Sequence, residues 1–211
     1  MVADELNQSP RAPHLGRRQT SLPSIIFLNG ASSAGKTTLG RALQASLAEP
    51  YLLMGLDTCL AMVPAEWSGG PLGAHRAQGF QYLDLPHENG KPVSGLSHGP
   101  VGLRMLKGFH RAVREFVHAG NRVIVDEMML GADVRDHWLT TLAGLDVLWV
   151  AVHCDLPELE RRELARRGRV GLARWSADRV HEGMTYNLSV NTTTRSPEAC
   201  ARQIASAASE A

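Results

Sequence analysis

Ser24-Ile25-Ile26-Phe27-Leu28-Asn29-Gly30-Ala31-Ser32-Ser33-Ala34-Gly35-Lys36-Thr37-Thr38 is the stretch on which the reading of this chain turns. Ile25 to Leu28 run without a polar residue, as a strand buried on both faces requires. Residues 30–37 then satisfy G-x-x-x-x-G-K-[ST] at each specified position, and helical spacing at Leu39, Ala42, Leu43 and Leu47 follows at once. Strand, glycine-bounded loop and helix in that order build a phosphate cradle. Main-chain N–H groups of the curled loop and the positive end of the helix dipole face an anion. In that chemistry Lys36 reaches the β- and γ-phosphates of ATP, and the Thr37 hydroxyl ligates Mg2+. The cradle predicts nucleotide contacts from Gly30, Ala31, Ser32, Ser33, Ala34, Gly35, Lys36, Thr37 and Thr38.

Working outward, four more runs read as strands: 51–56, 122–126, 145–153 and 188–192. Helical patterns separate most of them. Leu106, Phe109, Val113, Phe116 and Val117 recur at helical spacing, with Gly120 just beyond. Ser196-Pro197 reads as an N-cap followed by proline at the first helical position, opening a last helix through Cys200 and Ile204. The alternation predicts an α/β domain of three layers with a central, mostly parallel five-stranded sheet, and with the phosphate loop after its first strand and the eliminations below, a phosphate-loop kinase fold is the expectation. Residues 1–22 read as a disordered polar tail and 23–211 as the domain. Residues 64–100 break the alternation with seven glycines and five prolines, too many for a long helix or a central strand. Trp67, Phe80 and Tyr82 lie in that excursion, which reads as the acceptor side.

A magnesium site needs a carboxylate at the end of a hydrophobic strand, and Asp126 closes Val123-Ile-Val. Glu127, next to it, is open between touching substrate and merely ending a strand. A kinase of hydroxyl groups also needs a carboxylate near the acceptor oxygen. Asp57, just past the second strand, is the candidate base; its competing role is N-cap of a helix starting near Thr58. Six arginines fall between 161 and 174, so 157–175 reads as an arginine-rich lid. Arg162 and Arg166, four apart, share a helix face and are the candidates to stabilise charge on the transferring phosphoryl group. The competing reading is a solvated face of Glu–Arg pairs. His181 and Asn191 are weaker candidates for acceptor or phosphate contact and for the adenine side.

Composition sets bounds on this picture. With 22 Lys+Arg against 21 Asp+Glu, the formal charge of +1 offers no track for nucleic acid or an anionic membrane. No apolar run reaches a membrane span of about 18 residues. Three cysteines, widely spaced and odd in number, argue against a disulfide framework or a zinc knuckle and for the cytoplasm. The N-K-x-D guanine motif of GTPases is missing, and motor ATPases need more chain. A small-molecule kinase remains.

These residues resemble the chloramphenicol phosphotransferase family, whose members phosphorylate the primary 3-hydroxyl of the antibiotic. The resemblance spans about residues 24–205. It rests on residues 26–36, Gly55-Leu-Asp57-Thr58, Ile124-Val-Asp126, Leu145-Asp-Val-Leu-Trp-Val150, Val152-His-Cys154-Asp155, Arg162-Glu-Leu-Ala-Arg166 and His181-Glu-Gly183. It implies that Asp57 is the catalytic base and that Arg162 and Arg166 belong to the lid. The family's second aspartate after the third strand is Glu127 here, its aspartate before the paired threonines is Asn191, and 64–100 is longer. The expectation is therefore an ATP- and Mg2+-dependent O-phosphotransferase acting on chloramphenicol or a similar small alcohol. The alternatives are a kinase of another hydroxylated metabolite and a non-catalytic ATP-binding regulator. An aromatic acceptor further predicts that Trp67, Phe80 and Tyr82 line a cavity opening toward Asp57. Monomer and homo-oligomer are equally compatible with the sequence.

Overall fold

The computed structural model describes residues 22–70, 73–166 and 168–210. The expected tail, all but Leu22, lies outside them, as do Pro71, Leu72, Arg167 and Ala211. Strand β1 (Ile25–Gly30) is buried at every position and forms the middle of a five-stranded sheet. Its neighbours are β5 (Arg122–Glu127) on one side and β6 (Val147–His153) on the other, with β2 (Tyr51–Gly55) and β7 (Leu188–Asn191) at the edges. All four pairings are parallel.

Alternation along β1 divides the core into two layers. Ile26 and Leu28 face α1 (Lys36–Ser46), α5 (Leu156–Ala165) and α7 (Pro197–Glu210), meeting Leu39, Leu43, Leu159 and Ile204. Ile25 and Phe27 face α3 (Pro100–His118) and α4 (Ala132–Thr141), meeting Phe109, Val113, Val134 and Trp138. The Ser196 hydroxyl accepts the Ala199 N–H at 3.2 Å, the cap expected for α7. Among the described residues no helix is long and apolar enough to cross a membrane, and Cys59, Cys154 and Cys200 are free thiols.

The excursion supplies no strand to the main sheet, as its glycines and prolines require. It folds instead into an antiparallel hairpin of its own, β3 (Phe80–Glu88) and β4 (Lys91–His98). Asn89 and Gly90 turn it with φ of 51° and 75°, the pair of positive angles that a two-residue hairpin loop demands. Pro86 lacks a ladder donor, and the register shifts between Leu85 and Glu88. Short helix α6 (Leu172–Ser176) packs on β4, and short helix α2 (Leu56–Ala61) lines one cleft together with the hairpin.

Behind the sheet, fully buried His110 stacks on Trp138 with ring centroids 3.8 Å apart, and its Nδ1 lies 2.8 Å from His137 Nδ1. Burial, helped by the nearby His137, Lys107 and Arg111, pushes the His110 pKa down from 6.5 to about 3. Between those values the unfolded chain binds a proton that the folded chain refuses. The stabilising contribution is therefore complete above pH 6.5 and fades as pH falls. From pH 7.5 to pH 5, the stability advantage of the wild type over His110→Leu is expected to shrink by about 2 kcal/mol in urea titrations. Parallel stability–pH curves for the two proteins would contradict this.

Candidate active site

At the carboxyl ends of the parallel strands, the chain leaving β1 curls through Ser33 and Gly35 at φ of 68° and 84° before α1 begins at Lys36. The Lys36 side chain doubles back over this loop. Its Nζ donates to the Ala31 carbonyl at 2.9 Å and stands 3.9 Å from Asp126 Oδ1. Burial drives its ammonium below the usual lysine range, while Asp126 and Asp57 pull the other way. An ammonium with three donors in so dry a position suits a phosphate oxygen. The residues present fit a triphosphate.

The Thr37 hydroxyl donates to Asp126 Oδ2 at 2.5 Å, so α1 and β5 bring two hard oxygen ligands together as a Mg2+ ion requires. In the register of β2 and β5, Asp126 lies opposite Gly55. A side chain at Gly55 would meet the Asp126 carbonyl at 2.1 Å, so only glycine lets the strands close up here. That approach carries Asp57, two residues on, into the cleft with Lys36, Thr37 and Asp126. The N-cap reading of Asp57 is corrected: Gly55 precedes α2, and Asp57 is the second residue of that helix. Its carboxylate is exposed.

The rest of the cleft lining is largely apolar: Leu56, Leu60, Tyr82, Leu96, Met128 and Leu172. Of the three aromatic residues expected there, only Tyr82 lines it. Phe80 is 1% exposed within the core, and Trp67 stacks on His75 at 4.6 Å. A second cleft opens on the other side of the phosphate loop, between Thr38, Arg162, Thr192 and Pro197. Arg166 borders both clefts and donates to the Ser33 hydroxyl at 2.9 Å. Arg162 is held differently. It donates to Glu158 at 2.7 Å, to the Thr192 carbonyl at 2.7 Å and to the Ala34 carbonyl at 3.4 Å, bracing α5 against the loop. The helix thus mixes both readings, since Arg161 pairs with Glu158 in the open.

Glu127 turns its side chain away from Asp126 into the α3/α4 layer, where it accepts the Trp138 Nε1–H at 2.9 Å and its own neighbour's Met128 N–H at 3.0 Å. Burial raises its pKa to about 7 despite those donors. Ser32 lines the cleft, and its N–H donates to the Ser176 hydroxyl at 3.0 Å. Ser176 had no signal in the sequence, because it meets the loop from 144 residues away. His181 lies 2.8 Å from the Tyr186 hydroxyl, which also takes the Asn29 amide N–H at 2.7 Å, and burial lowers its pKa to about 4. Asn191 accepts the Thr193 N–H at 2.8 Å and shapes a turn, while Thr192 donates to the Ala34 carbonyl at 2.8 Å. Neither His181 nor Asn191 lines either of the two clefts.

Two proteins of Mycobacterium tuberculosis, from strains CDC 1551 and H37Rv, carry the provisional name O-phosphotransferase. Each is 30% identical over 181 residues, covering 85% of this chain and 80% of its own. Among solved structures, the Mycobacterium tuberculosis APS kinase bound to AMPPNP and APS superposes with a TM-score of 0.58 at 17% identity, covering 90% of this chain and 99% of that one. A gluconokinase from Sinorhizobium meliloti gives 0.56 at 16% identity, over 90% and 93% of the two chains. These likenesses establish a phosphate-loop kinase fold. Residues 23–209 match the family described as chloramphenicol phosphotransferase-like protein, and the chain belongs to that family.

Proposed function

We propose that this protein transfers the γ-phosphoryl group of ATP to a hydroxyl of a small molecule with an apolar or aromatic body, chloramphenicol being the first to try. One observation carries the reading: the exposed Asp57 shares a cleft with Lys36, Thr37 and Asp126, and Tyr82 and Leu96 of the hairpin line the same cleft. The acceptor oxygen forms a bond to the γ-phosphorus, its proton passes to Asp57, and the bond to the β-phosphate oxygen breaks to release ADP. Thr37 and Asp126 would hold Mg2+, which when bound neutralises charge on the β- and γ-oxygens. Lys36 and Arg166 serve the same end from the protein side. The free cysteines and the nucleotide requirement support a cytoplasmic setting.

The acceptor is chosen by the hairpin wall and not by the fold, since related folds act on APS and carry the name gluconokinase. The decisive experiment is ADP release measured against a panel of antibiotics, sugars, nucleosides and amino alcohols. Chloramphenicol-dependent release supports the antibiotic assignment. Release with another alcohol moves the acceptor and keeps the kinase. Tight ATP binding with no release on any member would favour a regulator. Within the active system, Arg166→Ala is expected to lower kcat by about 100-fold, the cost of removing one donor aimed at developing charge. Undiminished turnover in that variant would return Arg166 to the solvated face of α5.

A further inference from the structure

The hairpin that forms the acceptor wall is not a strand partner of the main sheet; it is fastened to the segment that follows the lid arginines. The Ser94 hydroxyl donates to the Val170 carbonyl at 2.9 Å, and Lys91 pairs with Glu160 of α5 at 2.6 Å. Arg174 of α6 bridges Glu160 and, at 3.7 Å, Glu88. Arg169 pairs with Asp84 and lies over the Tyr82 ring, 4.8 Å from its centroid. At Gly171, with φ of 92°, a side chain would strike Pro92 O at 2.6 Å and Val93 Cα at 2.8 Å, so the link and β4 are in backbone contact.

One buried side chain holds this link to the helix of the arginines. Glu163 is 2% exposed, sits between Arg162 and Arg166 in α5, and accepts the N–H groups of Gly171 and Ala173 at 2.7 Å each. Carboxylate bonds to two main-chain donors are charge-assisted and directional, so α5 cannot shift without carrying residues 171–173. Those residues cannot shift without carrying β4. On its other side α5 touches the phosphate loop through Arg166 and Ser33 and through Arg162 and the Ala34 carbonyl.

We infer that Glu163 is a positioning residue which joins the phosphate loop to the hairpin, so that nucleotide bound at the loop orders the acceptor wall and the two substrates bind cooperatively. This rests on the nucleotide-binding reading above. By linkage, acceptor held against Tyr82 and Leu96 tightens nucleotide by the same factor.

The test needs no acceptor. Amide hydrogen exchange is followed in the full-length protein with and without AMPPNP and Mg2+. In the wild type, exchange is expected to slow both at 30–37 and at 80–98, the latter by about fivefold or more, the lower end of ordinary coupling between sites. In Glu163→Gln, protection at 30–37 persists and protection at 80–98 is lost. Arg169→Ala, which cuts the exposed link to Asp84 and Tyr82, weakens hairpin protection without touching the buried joint and serves if Glu163→Gln does not fold. A hairpin indifferent to nucleotide in the wild type overturns the inference, as does full hairpin protection in a folded Glu163→Gln or, where that variant does not fold, in Arg169→Ala. No protection at 30–37 in the wild type brings down the nucleotide reading, and this inference with it.

Discussion

Lys36→Met is expected to lower turnover by about 1,000-fold, the upper range for one charged group directed at a transition state. Lys36 is 8% exposed and burial already penalises its charge, with Asp126 at 3.9 Å as partial compensation. Methionine fills a similar volume and introduces no charge to desolvate, so the fold should tolerate the exchange. Loss of turnover with an unchanged melting temperature is the expected pair of results. Steady-state kinetics with the acceptor found in the panel, alongside a thermal melt, reads both. Turnover near the wild-type value would mean that the buried ammonium only props the loop through Ala31.

Asp57→Asn is expected to reduce kcat by about 100-fold or more, the usual contribution of a positioned base. The variant keeps shape and hydrogen-bonding capacity while removing the ability to take a proton. Asp57 is exposed at the second position of a six-residue helix. Its loss there costs at most about 1 kcal/mol of interaction with the helix N-terminus. AMPPNP affinity should stay close to that of the wild type, because Asp57 stands on α2 and not in the phosphate loop. A variant that turns over at full rate would remove Asp57 from the chemistry and restore the claim of a regulator.

Much of this architecture was legible in the sequence. All five sheet strands stand where aliphatic runs placed them, with ends shifted by a residue or two; the fourth starts at Val147, two residues later than Leu145. Buried parallel strands carry side chains into both layers, which writes them into the chain as continuous apolar runs. The helices 36–46, 100–118 and 197–210 were legible for the complementary reason, an apolar stripe with a cap or a glycine at one end. The hairpin at 80–98 was missed although Asn89-Gly90 is a recognised turn signal. Prolines at 86 and 92 hide the strands on either side of it. Helix α4 escaped because its apolar residues are few and it opens without a side-chain cap.

The phosphate loop belongs to the sequence: eight consecutive residues, flanked by a strand and a helix, contain the geometry they adopt, because a curl of amides is a local object. Whether Glu127 joins Asp126 in the cleft does not. Asp126 and Glu127 differ by one step of the pleat, and only the packing of Trp138 behind the sheet turns Glu127 inward. Tertiary structure also separated Arg162 from Arg166, left Tyr82 alone of three aromatic residues against the cleft, and joined Glu163 to a hairpin the sequence had concealed. Each of those outcomes depends on groups far apart in the chain meeting in a dry space, where direction and burial decide what a side chain can do.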